Sequence, residues 1–348
     1  MIRTYHRNKK QFYLFRDYLR SLTTVNRYGE RRRISQISSP IEPLVDEYVT
    51  LETGEELPRA LLYAEGYVFA GFETDPGKVI RFNPNNLSDY TVLNFPSDGK
   101  HSVVSDLVYS SVTQKLYTVF ESLERTVVAE IDPLTLEYTD IIDDNPNVVG
   151  IQPCLTVNDD YIFVLSRTSP SRISRYDIND YSKTSLTLTG RNNGHALHYD
   201  GEYVYATGVT TPGWIAKIDP EAMTFVSQAF ASGDNFATDD FSFAGNYVYV
   251  GLETTSGEIL RIAKNDLSSI EKIVTGIESA CYGTFYDGTS IWALFATSPG
   301  KMAKINPETL AVDVIELEYD WCNELVRNGD VLFITFYLTP AVIARLTL

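Results

Sequence analysis

From about residue 46 to the C-terminus, apolar and polar positions alternate in short runs, broken at near-regular distances by Gly, Pro, Asn and Asp. Alternation with period two is the mark of half-buried strands, and no window in this region has the 3.6-residue period of a helix. The stretch Tyr203–Pro220 shows the pattern in full: an aromatic and apolar strand, a turn at Pro212 and Gly213, a second strand with Ile215 and Ile218, and a closing Asp219-Pro220. Relatives of this stretch recur. The strand that begins at Tyr203 has counterparts beginning at Tyr67, Leu116, Tyr161, Tyr247, Ile291 and Val331, at intervals of 49, 45, 42, 44, 44 and 40 residues. Seven units at that period predict a propeller of four-stranded blades.

Each unit has one grammar. A lead-in strand ends in a tight turn, as at Asp200-Gly201, Gly245-Asn246 or Asp287-Gly288. Such pairs supply the positive φ angles that a hairpin requires. The second strand follows, then a turn with Gly or Pro. The third strand has paired apolar positions (Val79 and Phe82, Val128 and Ile131, Ile173 and Tyr176, Ile259 and Ile262, Met302 and Ile305). It closes at Asn83-Pro84, Asp132-Pro133, Asp219-Pro220 or Asn306-Pro307, where proline has no amide hydrogen to continue the ladder. A fourth, outer strand completes the unit. The last unit stops after three strands, and Leu44–Leu51 stands before the first unit where an outer strand would be. We therefore expect that segment to pair with Ala341–Leu348 and close the ring.

The Tyr-Val-Tyr strand, the Ile-x-x-Ile-Asp-Pro strand and the Asp-Gly hairpin resemble the YVTN-type family of propeller repeats, from about residue 46 to the end. The resemblance implies blade architecture and no particular activity, because the fold hosts many functions. The Gly-His and Trp-Asp signatures of WD repeats and the paired glycines of kelch repeats are absent. The expected organisation is an all-β, seven-bladed propeller over residues 46–348, with ring closure by an N-terminal outer strand, preceded by a basic arm and linker over 1–45.

The arm changes the picture of charge. The whole chain of 348 residues has a net charge of −17, yet residues 1–33 hold ten basic side chains against two acidic ones. Within it Phe12, Phe15, Leu19 and Leu22 fall on one helical face, with Arg16 and Arg20 largely off it, and Arg31, Arg32 and Arg33 follow. Three readings of this amphipathic segment compete: docking on its own domain or on a neighbouring subunit, lying on a membrane surface, and binding nucleic acid. The acidic body repels nucleic acid, so that partner is expected only through the arm.

Candidate chemistry is sparse. No phosphate loop, zinc motif or nucleophile elbow occurs. No catalytic residue, metal or cofactor is therefore assigned. Cys154, Cys281 and Cys322 match no zinc spacing and read as free thiols, the last two at near-equivalent places in adjacent units. No stretch is long and apolar enough to span a membrane, and the first residues do not read as a secretory leader, which points to folding in a reducing cytoplasm. Propellers bind ligands around the central channel. The residues expected there include Ser105 and Asp106, Cys154, His195, Asp239 and Asp240, Tyr282, Cys322 and Asn323. His195 and His198, three apart on a strand, face opposite ways and make a poor chelating pair. Asp234, Asp239 and Asp240 near Asn235 are candidate calcium ligands without the spacing of a calcium loop. Asp106, His195 and Asp239 make a candidate acid–base set. Trp214 and Trp321, flanking turns, are candidates for exposed contact with protein or glycan, and Trp292 for core packing. These features favour a non-enzymatic propeller that assembles with other protein subunits through its arm, such as a structural component of a virus or phage particle. The alternative is a glycan-binding or glycan-processing propeller that uses Asp106, His195, Asp239, Asp240 and the tryptophans at the channel mouth.

Overall fold

The computed structural model describes residues 44–348 apart from 53, 122–124 and 145–151, and leaves the side chains of residues 44, 45 and 239 undescribed. The arm residues Phe12, Phe15, Arg16, Leu19, Arg20, Leu22, Arg31, Arg32 and Arg33 lie outside the described residues. Seven four-stranded antiparallel sheets account for every strand, and none of the described residues is helical. The outer strand β1 (Leu44–Thr50) comes first. Blade I is β2 (Pro58–Ala64), β3 (Tyr67–Phe72), β4 (Lys78–Asn83) and β5 (Asn86–Asn94). Blade II is β6 (Val104–Ser110), β7 (Lys115–Phe120), β8 (Thr126–Ile131) and β9 (Tyr138–Asp144). Blade III is β10 (Cys154–Val157), β11 (Tyr161–Ser166), β12 (Arg172–Asp177) and β13 (Lys183–Thr187). Blade IV is β14 (Gly194–Tyr199), β15 (Val204–Gly208), β16 (Trp214–Asp219) and β17 (Thr224–Ala229). Blade V is β18 (Ala237–Ala244), β19 (Tyr247–Leu252), β20 (Glu258–Ala263) and β21 (Ile270–Val274). Blade VI is β22 (Cys281–Tyr286), β23 (Ile291–Phe295), β24 (Lys301–Ile305) and β25 (Val312–Glu316). Blade VII is β26 (Cys322–Asn328), β27 (Val331–Phe336) and β28 (Val342–Thr347), completed by β1.

The expected closure is present. Strand β1 lies antiparallel to β28, from Leu44 opposite Thr347 to Thr50 opposite Val342. Pairing β1 with β28 removes two sheet edges that would otherwise recruit other strands.

The core is divided among the interfaces between blades. One apolar cluster joins Phe69 and Val79 of blade I to Leu116, Phe120 and Ile131 of blade II. Another joins Phe163 and Leu165 of blade III to Trp214 and Ile218 of blade IV. The last interface exists only because the ring is closed: Val49, Phe333 and Ile343 of blade VII pack with Val68, Phe72 and Phe82 of blade I. These side chains are almost fully buried, so each interface removes several aromatic and branched side chains from water.

Two sets of polar contacts repeat across the interfaces. On the third strand of a blade, a cation lies on the first tyrosine of the second strand and reaches the next blade's turn. The Arg175 guanidinium stands 4.3 Å from the Tyr161 ring centre and donates to the carbonyls of Pro220 and Glu221 at 2.7 and 2.9 Å. Arg81 does the same with Tyr67 and the Pro133 carbonyl, Lys217 with Tyr203 and Lys264, and Arg261 with Tyr247 and Pro307. Arg345 carries the contact across the closure to Asn85, at 3.0 Å. Blade II has Glu130 in the equivalent place, opposite Tyr117, and so departs from the rule. The receiving turns that open on Asp132, Asp219 and Asn306 are single α-type turns, closed by amides four residues on. In each of these the leading side chain caps the amides two and three residues on, as Asp219 does for Glu221 and Ala222, whereas Asn83 caps only Asn85.

The second set lies at the opposite end, where the inner strands begin. The residue before an inner strand takes a left-handed conformation: Leu57 (φ 49°), Asn193 (φ 51°), Phe236 (φ 53°) and Trp321 (φ 58°). Each donates its N–H to a turn carbonyl of the preceding blade and accepts from the corresponding turn of its own blade. Trp321 donates to Thr297 at 3.0 Å and accepts from Tyr337 at 2.9 Å. Bulky residues rarely adopt this conformation, which costs on the order of 1–2 kcal/mol. Two backbone hydrogen bonds hold it in place.

Two outcomes follow. Deleting Ile343–Leu348 removes β28 and leaves β1 unpaired, so cooperative unfolding in denaturant should be lost; a sharp transition at the intact protein's midpoint would contradict the closure. Arg175→Met keeps most of the aliphatic stem but removes the ring contact and two charge-assisted hydrogen bonds, and should cost about 1–3 kcal/mol in chemical denaturation.

Candidate functional site at the channel mouth

The channel is lined by the inner strands, β2, β6, β10, β14, β18, β22 and β26. Six of them carry a bulge at the same level, just inside the end at which they start. The extra residue is Arg59, Ser105, His195, Tyr282 and Asn323 in turn, while in β18 the three residues Thr238–Asp240 together oppose Gly251. A bulge breaks the ladder and re-aims side chains, and it is common beside functional sites. The register corrects the sequence alignment of the last unit by one position: Cys322 sits before its bulge, and Asn323 with Glu324 takes the place expected for Cys322 with Asn323.

Three polar groups come together here. His198 on β14 points its Nε2 at Asp240 Oδ1 on β18, 2.5 Å away. Asp106 on β6 lies close enough for its charge to act on both, and it braces the wall. Its Oδ2 accepts from the Leu155 amide of β10 at 2.9 Å and its Oδ1 from Leu107 at 2.7 Å. His198 and Asp240 keep 36% and 27% of their side-chain surface exposed although protein surrounds them, as expected for groups that face a water-filled lumen. Burial pushes the Asp106 carboxyl up to about 6, against the pull of its amide donors and of His198. For His198, burial opposes the charged form, yet Asp240 and Asp106 outweigh it and the ring's pKa is raised.

Other expected site residues separate. His195 is buried, with Nε2 at 3.4 Å from Gln152 Oε1, and the histidine that meets Asp240 and feels the charge of Asp106 is His198. The Asp239 side chain lies outside the described residues. His198 was passed over because the sequence offers it only as half of a poor chelating pair; the signal was an acidic pair on the neighbouring inner strand. Asp234 does not join Asp240. It pairs with Lys272 in a cleft of about 500 Å³ lined also by Phe236, Glu253 and Glu258. No cluster among the described residues could hold a metal ion.

Trp214 corrects an expectation. It is 2% exposed, and its Nε1 donates to the Asn192 carbonyl at 2.9 Å, so it serves packing within blade IV and its interface with blade III. Its ring lies over Gly208 of β15, where an added Cβ would stand 2.2 Å from the indole. Trp321 is 45% exposed at the channel rim. Trp292 is buried and donates to Asp287 Oδ2 at 2.8 Å. None of the three cysteines is in a disulfide, and burial raises the Cys281 and Cys322 thiols to about 12, far from a reactive thiolate.

No protein-family model and no curated protein matches the chain. Solved structures match its fold. A chain of the Mitotic Checkpoint Complex superposes with a TM-score of 0.69 over 94% of this chain and 99% of that one, at 11% identity. The computationally designed Ika8 protein does so with a TM-score of 0.61 over 88% and 100%, at 12% identity. Identities this low speak for the propeller fold alone.

The site makes stability depend on pH. Both Asp106 and His198 have raised folded-state pKa values, so each favours the folded state at low pH. Asp106 loses its contribution as pH rises from about 4 through 6, and His198 loses its own above the ordinary histidine range. Asp106→Asn abolishes the first and weakens the second. The melting temperature of the variant relative to the parent should therefore rise between pH 4 and pH 8; a pH-independent difference would refute the assignment.

Proposed function

We propose that this chain is a non-enzymatic, YVTN-like interaction propeller that assembles into a larger protein complex through the face where its inner strands begin. The observation that carries the reading is the placement of Phe236 and Trp321. Among the described residues they are the two exposed large aromatic side chains, 37% and 45% accessible. Both occupy the same position in their blades, each on a left-handed residue clamped by two backbone hydrogen bonds. A rigid aromatic ring offered to solvent is the kind of anchor that dominates protein interfaces, because little conformational freedom is lost when it docks.

The partner is a basic segment with apolar side chains, and the arm of a second copy has that chemistry. Residues 1–33 carry ten basic against two acidic side chains, and the remainder 19 against 44. Beside Phe236 the cleft holds Asp234, Glu253 and Glu258 around the single cation Lys272, which leaves its lining net acidic towards such a segment. Phe12, Phe15, Leu19 and Leu22 supply the apolar contact and Arg16, Arg20, Arg31, Arg32 and Arg33 the charge. A structural protein of a virus particle is one assembly of this type. Attachment of this kind is electrostatically steered and weakens with salt.

A second reading is glycan binding or processing at the channel mouth. It draws on the exposed Trp321 ring beside the polar lumen of Asp106 and Asp240, a combination suited to stacking on a sugar.

Sedimentation separates the two. Full-length protein should form oligomers that dissociate when residues 1–40 are removed, and Trp321→Ala should weaken association about tenfold. A monomer in both full-length and shortened forms, together with glycan-array binding that Trp321→Ala abolishes, would overturn the assembly reading in favour of the second.

A further inference from the structure

Three inner strands meet around one imidazole. His198 of β14 contacts Asp240 of β18, and its ring stands edge-on to Phe241, 4.6 Å between centres. Opposite His198 on its own blade is Tyr205, which is fully buried, and across the lumen is Asp106. Beyond Asp240 lies the buried thiol of Cys281. The described titratable groups around the imidazole are thus two carboxylates, a buried phenol and a buried thiol.

Asp240 sits on the most irregular stretch of the inner ring. Thr238, Asp239 and Asp240 together oppose Gly251, so this segment leaves the ladder that fixes its equivalents in the other blades. A side chain at 251 would drive into Cys281 Sγ at 2.5 Å and Thr238 Oγ1 at 2.9 Å, so glycine makes room for the bulge. On its other flank Asp240 lies against Gly283 of β22, where an added Cβ would stand 3.1 Å from Asp240 Cβ. Asp240 thus sits between the inner strands of blades IV and VI, and its Oδ1 both meets His198 Nε2 and accepts from the amide of its own neighbour Phe241, at 2.8 Å.

We propose that His198 and Asp240 form a pH-operated clasp at the channel mouth, closed while the imidazole carries both ring protons and released when one is lost. Closed, the imidazolium neutralises Asp240 and draws the bulge of β18 towards β14. The neutral ring no longer offsets the charge of Asp240 and Asp106, so the lumen becomes more negative and the bulge, without ladder contacts, is free to shift. The clasp thereby sets how strongly the mouth attracts a cationic group as pH moves across the neutral range.

The test is an NMR titration of the His198 Cε1–H resonance in the full chain, with the amide protection of Phe241 as the second readout. The parent should titrate above the ordinary histidine range. Asp240→Asn, which preserves shape, should lower the midpoint by about one pH unit, a tenfold loss of proton affinity. Asp106→Asn should lower it by less, because Asp106 acts without direct contact. Phe241 protection, corrected for intrinsic exchange, should fall through the parent's midpoint and become pH-independent in Asp240→Asn and in His198→Gln. An unchanged midpoint in Asp240→Asn, or Phe241 protection that ignores the titration, would overturn the clasp.

Discussion

No blade of this ring has a core of its own. Each is a thin sheet whose two faces are buried only against its two neighbours, and the apolar clusters straddle the seven interfaces. The seventh interface requires the first described strand, β1, to meet the last, β28. Pairing of β1 with β28 is therefore the constraint on which the rest depends: it supplies the missing fourth strand of blade VII and completes the apolar contact with blade I. Blade II departs from the pattern with Glu130, which accepts from the Tyr117 hydroxyl at 3.3 Å in place of a cation lying on the ring.

The repeat seen in the sequence acquires a physical cause at the same interfaces. Tyr203 is a platform for Lys217, whose ammonium lies 3.7 Å from the ring centre and donates to a carbonyl of the next blade. Asp219 caps the turn that receives the cation from the blade before it. The aromatic start of one strand, the cation three residues before the Pro of the next, and the Asp-Pro turn are parts of one contact between blades. That contact recurs, and for this reason the fold was legible: alternation gave the strands, the period gave the blade number, and the orphan segment at Leu44 gave the closure. The left-handed residues before the inner strands were not legible, because Leu57, Phe236 and Trp321 are residue types that do not announce positive φ.

The site was legible only in part, and the reason is again structural. Counting back from each hairpin locates the mouth of the channel but cannot detect bulges, which change the count by one or two. The count therefore placed Cys322 where Asn323 belongs. It placed His195 correctly at its bulge, but that side chain is buried and the histidine that meets Asp240 is three residues further along the strand. Asp106 and Asp240 survive such slips because both cap the amide that follows them, Leu107 and Phe241, at matching places in their bulges. Trp214 shows a different limit. A residue next to a Pro-Gly turn looks exposed in sequence, yet its ring lies over Gly208 of the neighbouring strand and its indole nitrogen finds a backbone carbonyl. Trp321, also next to a turn, is left open because its backbone is held by the turns of two blades.

Native-state hydrogen exchange along β28 tests the closed ring most directly. The amides of Val342–Thr347 lie within six residues of the chain's end, where unpaired segments exchange within a small fraction of the global unfolding free energy. If pairing with β1 holds the ring together, the most protected amides of β28 exchange only through global unfolding, with the same free energy and denaturant dependence as those of the middle strands β7 and β15. Exchange of β28 by local fraying, while the middle strands stay protected, would show that the ring stands without its closure and would contradict the account.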